Sequence, residues 1–178
     1  FARRGGVRSG DLVMARVVPI PRGDAPPAPL GATVFLVDTS ASRALGLKEE
    51  LQLLRELLAQ MAPGTRISVL AFDQTTELMF DGAREAFGDA DVQRIAARNA
   101  MGASNLEQAL LAAGEHAKAR RDAPSRLVIL GDGVVTAGET DEKKLQGKVE
   151  GLRASPLPRI DAVVLAGIRD ESRLRSLV

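Results

Sequence analysis

The sequence predicts an α/β domain with a doubly wound, mostly parallel β-sheet that has one antiparallel strand at its edge. Short apolar runs of strand length alternate along the chain with stretches in which apolar residues recur at helical spacing. The runs are continuously apolar, which is typical of parallel strands that helices cover on both faces. Because the chain has 178 residues, of which 45% are hydrophobic, it is long enough for one such domain with an appendage.

The N-terminal part of the chain is predicted to precede this domain. Residues 11–20 (DLVMARVVPI) form a short, valine-rich run, so we expect one strand there, the last strand of a preceding domain over 1–20. Residues 21–31 contain four prolines and two glycines, which favour an extended linker. The α/β domain is therefore expected over 32–178.

The first half of the domain is predicted to contain three strands and one long helix. A continuous apolar strand over 32–37 precedes the helix, and a second strand is expected over 66–72. The next strand, over 75–80, follows so closely that the two must form an antiparallel hairpin, which places it at the edge. The apolar residues that predict the helix are Leu47, Leu51, Leu54, Leu58 and Met61.

The second half repeats the alternation of helix and strand. Strands are predicted over 126–130 and 160–166, where the chain is continuously apolar. Right-handed crossovers between parallel strands place the helices on the two faces of the sheet. Helices are predicted over 91–98, 105–120, 141–154 and 171–178.

Composition excludes several classes of function. Lys and Arg total 24 against 23 for Asp and Glu, so no excess of positive charge favours nucleic acid. The chain has no cysteine, which excludes disulfides and thiolate metal sites. No apolar run approaches the roughly 18 residues of a membrane helix, so this segment is not expected to insert into a membrane. The cellular compartment stays open.

Five oxygen-bearing residues are predicted to converge at one edge of the sheet. Asp38, Ser40 and Ser42 follow the first buried strand directly, and Asp132 follows the strand over 126–130. Ser104 stands just before a helix whose amino end faces the same crevice. Ligands of doubly wound sheets bind outside the carboxyl ends of the strands. Hydroxyl and carboxylate oxygens suit Mg²⁺, with Mn²⁺ or Ca²⁺ as possible substitutes.

The charge of this site suggests a function in binding. Two carboxylates only just balance a divalent ion, and the three hydroxyls add no charge. The cation would remain a good electrophile for the Asp or Glu carboxylate of a protein partner. No His or Lys falls beside the cluster as a general base, so binding is favoured over enzymatic turnover.

These residues resemble the metal-ion-dependent adhesion site of the von Willebrand factor A family. That site has an Asp-x-Ser-x-Ser loop after the first strand, a hydroxyl before a later helix and an Asp-Gly after the fourth strand. The resemblance implies that the three serines supply hydroxyls and that Asp38 and Asp132 bind directly or through water. One departure is Ala103-Ser104-Asn105, where the family usually has Gly-Thr-Asn.

The resemblance also gives expectations about the parent protein. The family's sheet normally has a sixth strand after the last helix, so we expect a longer parent with this C-terminal strand missing from the chain. The strand and proline linker before the domain resemble the end of a vault and inter-alpha-trypsin (VIT) domain, as in bacterial proteins of this type.

Alternatives remain at the level of the sequence. Ser104 and Glu107 have the spacing of a helix capping box. A haloacid-dehalogenase-like phosphatase would use Asp38 as nucleophile and Asp132 as a Mg²⁺ ligand, but its second acid and its catalytic Lys have no clear counterparts. A metal-free scaffold would use the surface alone. The single histidine, His116, is expected at the surface.

Overall fold

The computed structural model describes residues 4–7, 10–13, 31–122, 124–154, 156–164 and 169–178. Its α/β part contains one five-stranded sheet with helices on both faces. In chain order the strands are β1 (Arg4–Val7), β2 (Gly10–Val13), β3 (Thr33–Asp38), β4 (Arg66–Phe72), β5 (Thr76–Ala83), β6 (Arg126–Leu130) and β7 (Arg159–Val163). The helices are α1 (Leu47–Gln60), α2 (Asp89–Ala96), α3 (Leu106–Ala119), α4 (Glu142–Ala154) and α5 (Glu171–Leu177).

The five-stranded sheet has the order β5-β4-β3-β6-β7. Strand β3 lies at its centre and pairs in parallel with β4 and β6, while β6 pairs in parallel with β7. Strand β5 pairs antiparallel with β4 and forms one edge. The predicted doubly wound, mostly parallel sheet with one antiparallel edge strand is confirmed, and each predicted helix of the domain has its counterpart.

Two apolar cores lie on the two faces of this sheet. Successive side chains of a strand point to opposite faces, so Val34 and Leu36 of β3 pack with α3, α4 and α5, whereas Phe35 and Val37 pack with α1 and α2. All four residues are nearly or fully buried. The central strand is therefore held from both sides, which fixes the position of the loop that follows it.

The N-terminal region has a separate two-stranded sheet, in which β1 pairs antiparallel with β2. The predicted strand over 11–20 overlaps β2, and its residues beyond Val13 lie outside the described residues, as does the predicted linker apart from Gly31. Strand β1 was not predicted, because its sequence RGGV contains two glycines and no apolar alternation.

Candidate metal site at the carboxyl edge of the sheet

The two candidate carboxylates follow neighbouring strands at the same edge of the sheet. Asp38 is the last residue of β3, and Asp132 lies just beyond the end of the adjacent β6. Their loops are closely packed, because a Cβ atom on Gly131 would lie only 2.8 Å from the Cβ of Asp38. The absence of a side chain at Gly131 lets the β6 loop approach β3. Both carboxylates are buried, with exposures of 2% and 0%.

Asp38 uses its two oxygens differently. Oδ1 accepts a hydrogen bond of 2.8 Å from the backbone N–H of Ser40, which holds the loop after β3. Oδ2 accepts a longer hydrogen bond of 3.3 Å from the hydroxyl of Ser104. Asp38 thus joins its own loop to the segment before α3, and the predicted convergence of these residues agrees with this geometry.

The two loop serines contact each other. Their hydroxyl oxygens lie 3.0 Å apart, with Ser40 buried and Ser42 exposed. The backbone of this loop also pairs with Gly102, whose carbonyl accepts from the N–H of Ala41 at 2.8 Å. A row of hydroxyls therefore runs from the buried carboxylate toward solvent.

Ser104 lies beside the amino end of α3 but does not cap it. The cap is Asn105, whose side chain accepts a hydrogen bond of 3.1 Å from the backbone N–H of Gln108. The side chain of Glu107 instead accepts from the N–H of Glu139 and pairs with Lys148. The capping box that the spacing of Ser104 and Glu107 suggests is therefore not formed, and the Ser104 hydroxyl faces Asp38.

Asp132 has one oxygen with no hydrogen-bond partner. Its Oδ1 accepts from the backbone N–H of Val134 at 2.9 Å, in a turn that Gly133 completes with a φ of 74°. Its Oδ2 is buried and accepts no hydrogen bond from any described residue. A buried carboxylate oxygen without a partner is costly, so this atom is available to a ligand.

Two further charged residues, which sequence reasoning missed, belong to the same cluster. Arg43 is 3% exposed and donates from Nε to the Glu50 carboxylate over 2.7 Å, while its Nη1 lies 3.8 Å from Oδ2 of Asp132. Glu50 is 2% exposed. The sequence did carry a signal, because Glu50 lies on the apolar face of α1 between Leu47 and Leu54, and a buried acid requires a partner.

Burial dominates the electrostatics of the cluster. It raises the pKa of Asp38 to about 6, with a further contribution from the negative charge of Asp132 and opposition from the hydrogen bonds of Ser40 and Ser104. Burial also raises the pKa of Glu50 to about 8, against the lowering effect of Arg43. Additional positive charge would stabilise the ionised forms of both acids.

The donor set fits a hard divalent cation. Within the described residues, no group of three or more His, Cys, Asp and Glu side chains is placed to hold a metal, so an ion would rest on two carboxylates and on hydroxyls. The unpartnered oxygen of Asp132 is of the type that such an ion prefers. In the part of the chain that the structure describes, the charged residues that are buried are Asp38, Arg43, Glu50 and Asp132. When all four are ionised, three negative charges face one positive charge, and a divalent cation would neutralise the excess.

A second polar cluster lies near the amino end of β4, away from these residues. The hydroxyl of the buried Ser68 lies 2.8 Å from Nε2 of His116 and accepts a hydrogen bond of 2.7 Å from Nη1 of Arg120. Arg120 also pairs with Asp81 and, through two nitrogens, with Asp122. His116 is half-buried and hydrogen-bonded, which differs from the expected surface position. Burial lowers its pKa.

The family of this chain is shown by its sequence. The family model for the von Willebrand factor type A domain matches residues 33–134, which is more than half of the chain and includes all five candidate residues. The chain therefore belongs to the von Willebrand factor type A domain family. A comparison with curated protein sequences gave no match.

Solved structures with the same fold include domains from distant organisms. Proximal thread matrix protein 1 from the mussel byssus has a TM-score of 0.67 at 19% identity, over 84% of this chain and 41% of that one. A von Willebrand factor type A structure from Catenulispora acidiphila gives 0.68 at 14%, over 84% and 36%. The VWA domain of SpRpn10 gives 0.63 at 16%, over 83% and 80%. The chain thus spans less than half the length of the first two.

Proposed function

We propose that this chain is a protein-binding module that requires a divalent cation and docks an acidic side chain of its partner at a metal-ion-dependent adhesion site. The observation that carries the proposal is the buried, unpartnered Oδ2 of Asp132 in a cluster with excess negative charge. A bound cation would give this oxygen a partner and neutralise the cluster. The other ligands would be Asp38, Ser40, Ser42 and Ser104, directly or through water.

Mg²⁺ is the proposed ion, with Mn²⁺ or Ca²⁺ as substitutes. All five ligands offer oxygen, and hard divalent cations prefer carboxylate, hydroxyl and water oxygens. A second structure of the mussel protein has a zinc-occupied MIDAS motif, so a related domain holds a divalent metal at a site of this type. A bound cation supplies a positive centre that attracts a carboxylate, and the protein residues hold and orient it.

A protein partner is favoured by the surface around the site. Leu45 is 99% exposed in the turn after the serine loop, and Met101 is 80% exposed next to Gly102, which pairs with that loop. The backbone before Met101 has positive φ angles at Asn99 and Ala100, a conformation that is uncommon outside glycine. Exposed apolar side chains beside a charged centre are typical of protein interfaces.

The chemistry of the cluster does not favour the phosphatase alternative. That reaction needs a Lys near the carboxylates, whereas the cation beside Asp132 is the guanidinium of Arg43. Asp38 is also engaged through both of its oxygens. The metal-free scaffold remains the competing function, and metal dependence separates it from the proposed one.

The decisive experiment is a Mg²⁺ titration of the purified chain by calorimetry, with melting temperature as a second readout. We expect Mg²⁺ to bind and to raise the melting temperature. Asp132→Asn should weaken binding by more than about a hundredfold, since even residues behind the direct ligands contribute about ten- to a hundredfold.

Asp89→Asn is the matched control, because this carboxylate is exposed on α2 and carries the same charge change. It should bind Mg²⁺ as the unmodified chain does. Equal binding by Asp132→Asn would contradict the site. A chain that binds neither Mg²⁺ nor Mn²⁺ would favour the scaffold.

A further inference from the structure

Arg43 is buried beside the proposed cation site. Its Nε donates to Glu50 over 2.7 Å, and the two side chains have exposures of 4% and 2%. An Arg that is buried this completely loses its hydration, and Glu50 restores only part of the lost interaction. Its Nη2 and the Oε1 of Glu50 have no hydrogen-bond partner among the described residues. The hydrogen bonding of this pair is therefore incomplete, and a contribution to stability alone does not explain why both residues are buried.

The fold directs the Arg43 side chain inward. Residues Ala41–Arg43 form a 3₁₀ turn, and the chain then folds back so that the N–H of Gly46 donates to the Arg43 carbonyl at 2.9 Å. A Cβ on Gly46 would lie 2.8 Å from Nη2 of Arg43, so the glycine makes room for the guanidinium. Glu50 lies in the first turn of α1 and accepts from it.

The guanidinium lies close to Asp132 without bonding to it. The distance from Nη1 to Oδ2 is 3.8 Å, which is within the range of charge attraction but too long for a hydrogen bond. Arg43 therefore reduces the negative potential at Asp132 and leaves the oxygen itself available. Glu50 adds a negative charge at the Nε of the same guanidinium.

We propose that Arg43 is a resident counter-charge of the cation site, held in place by Glu50, which stabilises the metal-free cluster and limits how tightly a divalent cation binds. This inference rests on the proposed function, because it assigns positioning residues to the same site. Its physical basis is that a fixed positive charge next to a ligand carboxylate repels an incoming cation.

Substitution of Arg43 and substitution of Glu50 should change the affinity for Mg²⁺ in opposite directions. Arg43→Gln removes the repelling charge while its amide can still donate to Glu50, so Mg²⁺ should bind at least about tenfold more tightly. Glu50→Gln removes an attracting charge and leaves Arg43 free to pair with Asp132, so Mg²⁺ should bind about tenfold more weakly. The double variant has no net change in charge and should lie between the two single variants.

The test is calorimetric titration with Mg²⁺ at pH 8.5, which lies above the raised pKa values of both Asp38 and Glu50, together with melting of the metal-free proteins. The metal-free Arg43→Gln protein should melt at a lower temperature than the unmodified chain, because the cluster has lost its only buried cation within the described residues. Each single variant has its own predicted direction of change in Mg²⁺ affinity, so the test stays decisive if the other single variant fails to fold. Arg66→Gln is the matched control, since it has the same charge change at a half-exposed side chain at the start of β4.

The outcomes distinguish this inference from the proposed function. Mg²⁺ binding by the unmodified chain, with shifts in the same direction or no shift for Arg43→Gln and Glu50→Gln, overturns the role of Arg43 and leaves the cation site intact. Binding that becomes measurable only in Arg43→Gln supports the inference. No binding by the unmodified chain or by Arg43→Gln overturns both proposals.

Discussion

The two polar clusters of this domain differ in how completely their groups are hydrogen-bonded. Near the amino end of β4, Arg120 donates to Ser68, Asp81 and Asp122, and no buried side-chain nitrogen or oxygen of this cluster lacks a hydrogen-bond partner among the described residues. At the carboxyl edge, Arg43, Glu50 and Asp132 each have a buried atom without a partner.

This difference distinguishes a cluster that stabilises the fold from the proposed cation site. Buried polar groups that are fully paired stabilise one conformation, whereas unpaired ones raise the energy of the folded state until a ligand engages them. Proteins commonly concentrate such unfavourable features at functional sites. The cluster around Arg120 therefore holds α3 against the edge hairpin, and the unpaired groups around Asp132 support the proposed cation site.

The largest expected contrast is in the stability of the metal-free protein. Arg120→Ala removes hydrogen bonds to Asp81 and Asp122 and should lower the free energy of unfolding by about 2 kcal/mol. Asp132→Asn removes a buried negative charge from a cluster that has an excess of it, so it should leave the stability unchanged or raise it. Urea denaturation with EDTA present measures both.

Metal binding should show the reverse contrast for the same two variants. Arg120→Ala should bind Mg²⁺ like the unmodified chain, because its contacts lie near the other end of the strand. Arg66→Ala is the stability control, since its ion pairs at 3.6 Å and 3.9 Å are substantially exposed and contribute little. A loss of stability in Asp132→Asn as large as that in Arg120→Ala would mean that both clusters are structural.

A smaller difference in Mg²⁺ affinity and in stability is expected between variants of Ser104 and Asn105, which are neighbours at the start of α3. Ser104→Ala removes the hydroxyl that donates to Asp38 and should weaken Mg²⁺ binding by about tenfold, with little change in stability. Asn105→Ala removes the helix cap and should cost about 1 kcal/mol of stability with unchanged Mg²⁺ affinity. Calorimetry and urea denaturation of the two variants give the comparison, and equal effects on Mg²⁺ binding would contradict the assignment of Ser104.

The sequence predicted the fold because periodicity is a local property. Strands such as β3 and helices such as α1 are continuous or periodic in apolar residues, and burial on both faces of the sheet follows from that pattern. The meeting of Asp38 and Asp132 at the carboxyl edge of the sheet was predictable for the same reason, since each follows one of two parallel strands.

The remaining features depend on side-chain packing that no local pattern encodes. Ser104 and Asn105 are both good capping residues, and only the packing of the segment against Asp38 decides which one caps α3. The pairing of Arg43 with Glu50 depends on the turn at Gly46, and the contact between His116 and Ser68 joins residues 48 positions apart. Such contacts are set by tertiary structure.

The smallest expected effect is the pH dependence of the stability of the metal-free protein. Because the pKa values of Asp38 and Glu50 are raised on folding to about 6 and about 8, the folded state binds protons more tightly than the unfolded chain. The free energy of unfolding contributed by these groups should therefore fall as the pH rises from 5 to about 8. His116, whose pKa is lowered, acts in the opposite direction below its ordinary value of 6.5.

The comparison of the unmodified chain with Glu50→Gln removes the contribution of His116, which the two proteins share. The unmodified chain should lose stability between pH 6 and pH 8 relative to the variant, since the variant has no carboxyl group at position 50 to ionise in this range. Urea denaturation in EDTA at several pH values measures the difference. Parallel curves would mean that Glu50 is already ionised at pH 6 and that its pairing with Arg43 outweighs its burial, which would make this pair resemble the satisfied cluster around Arg120.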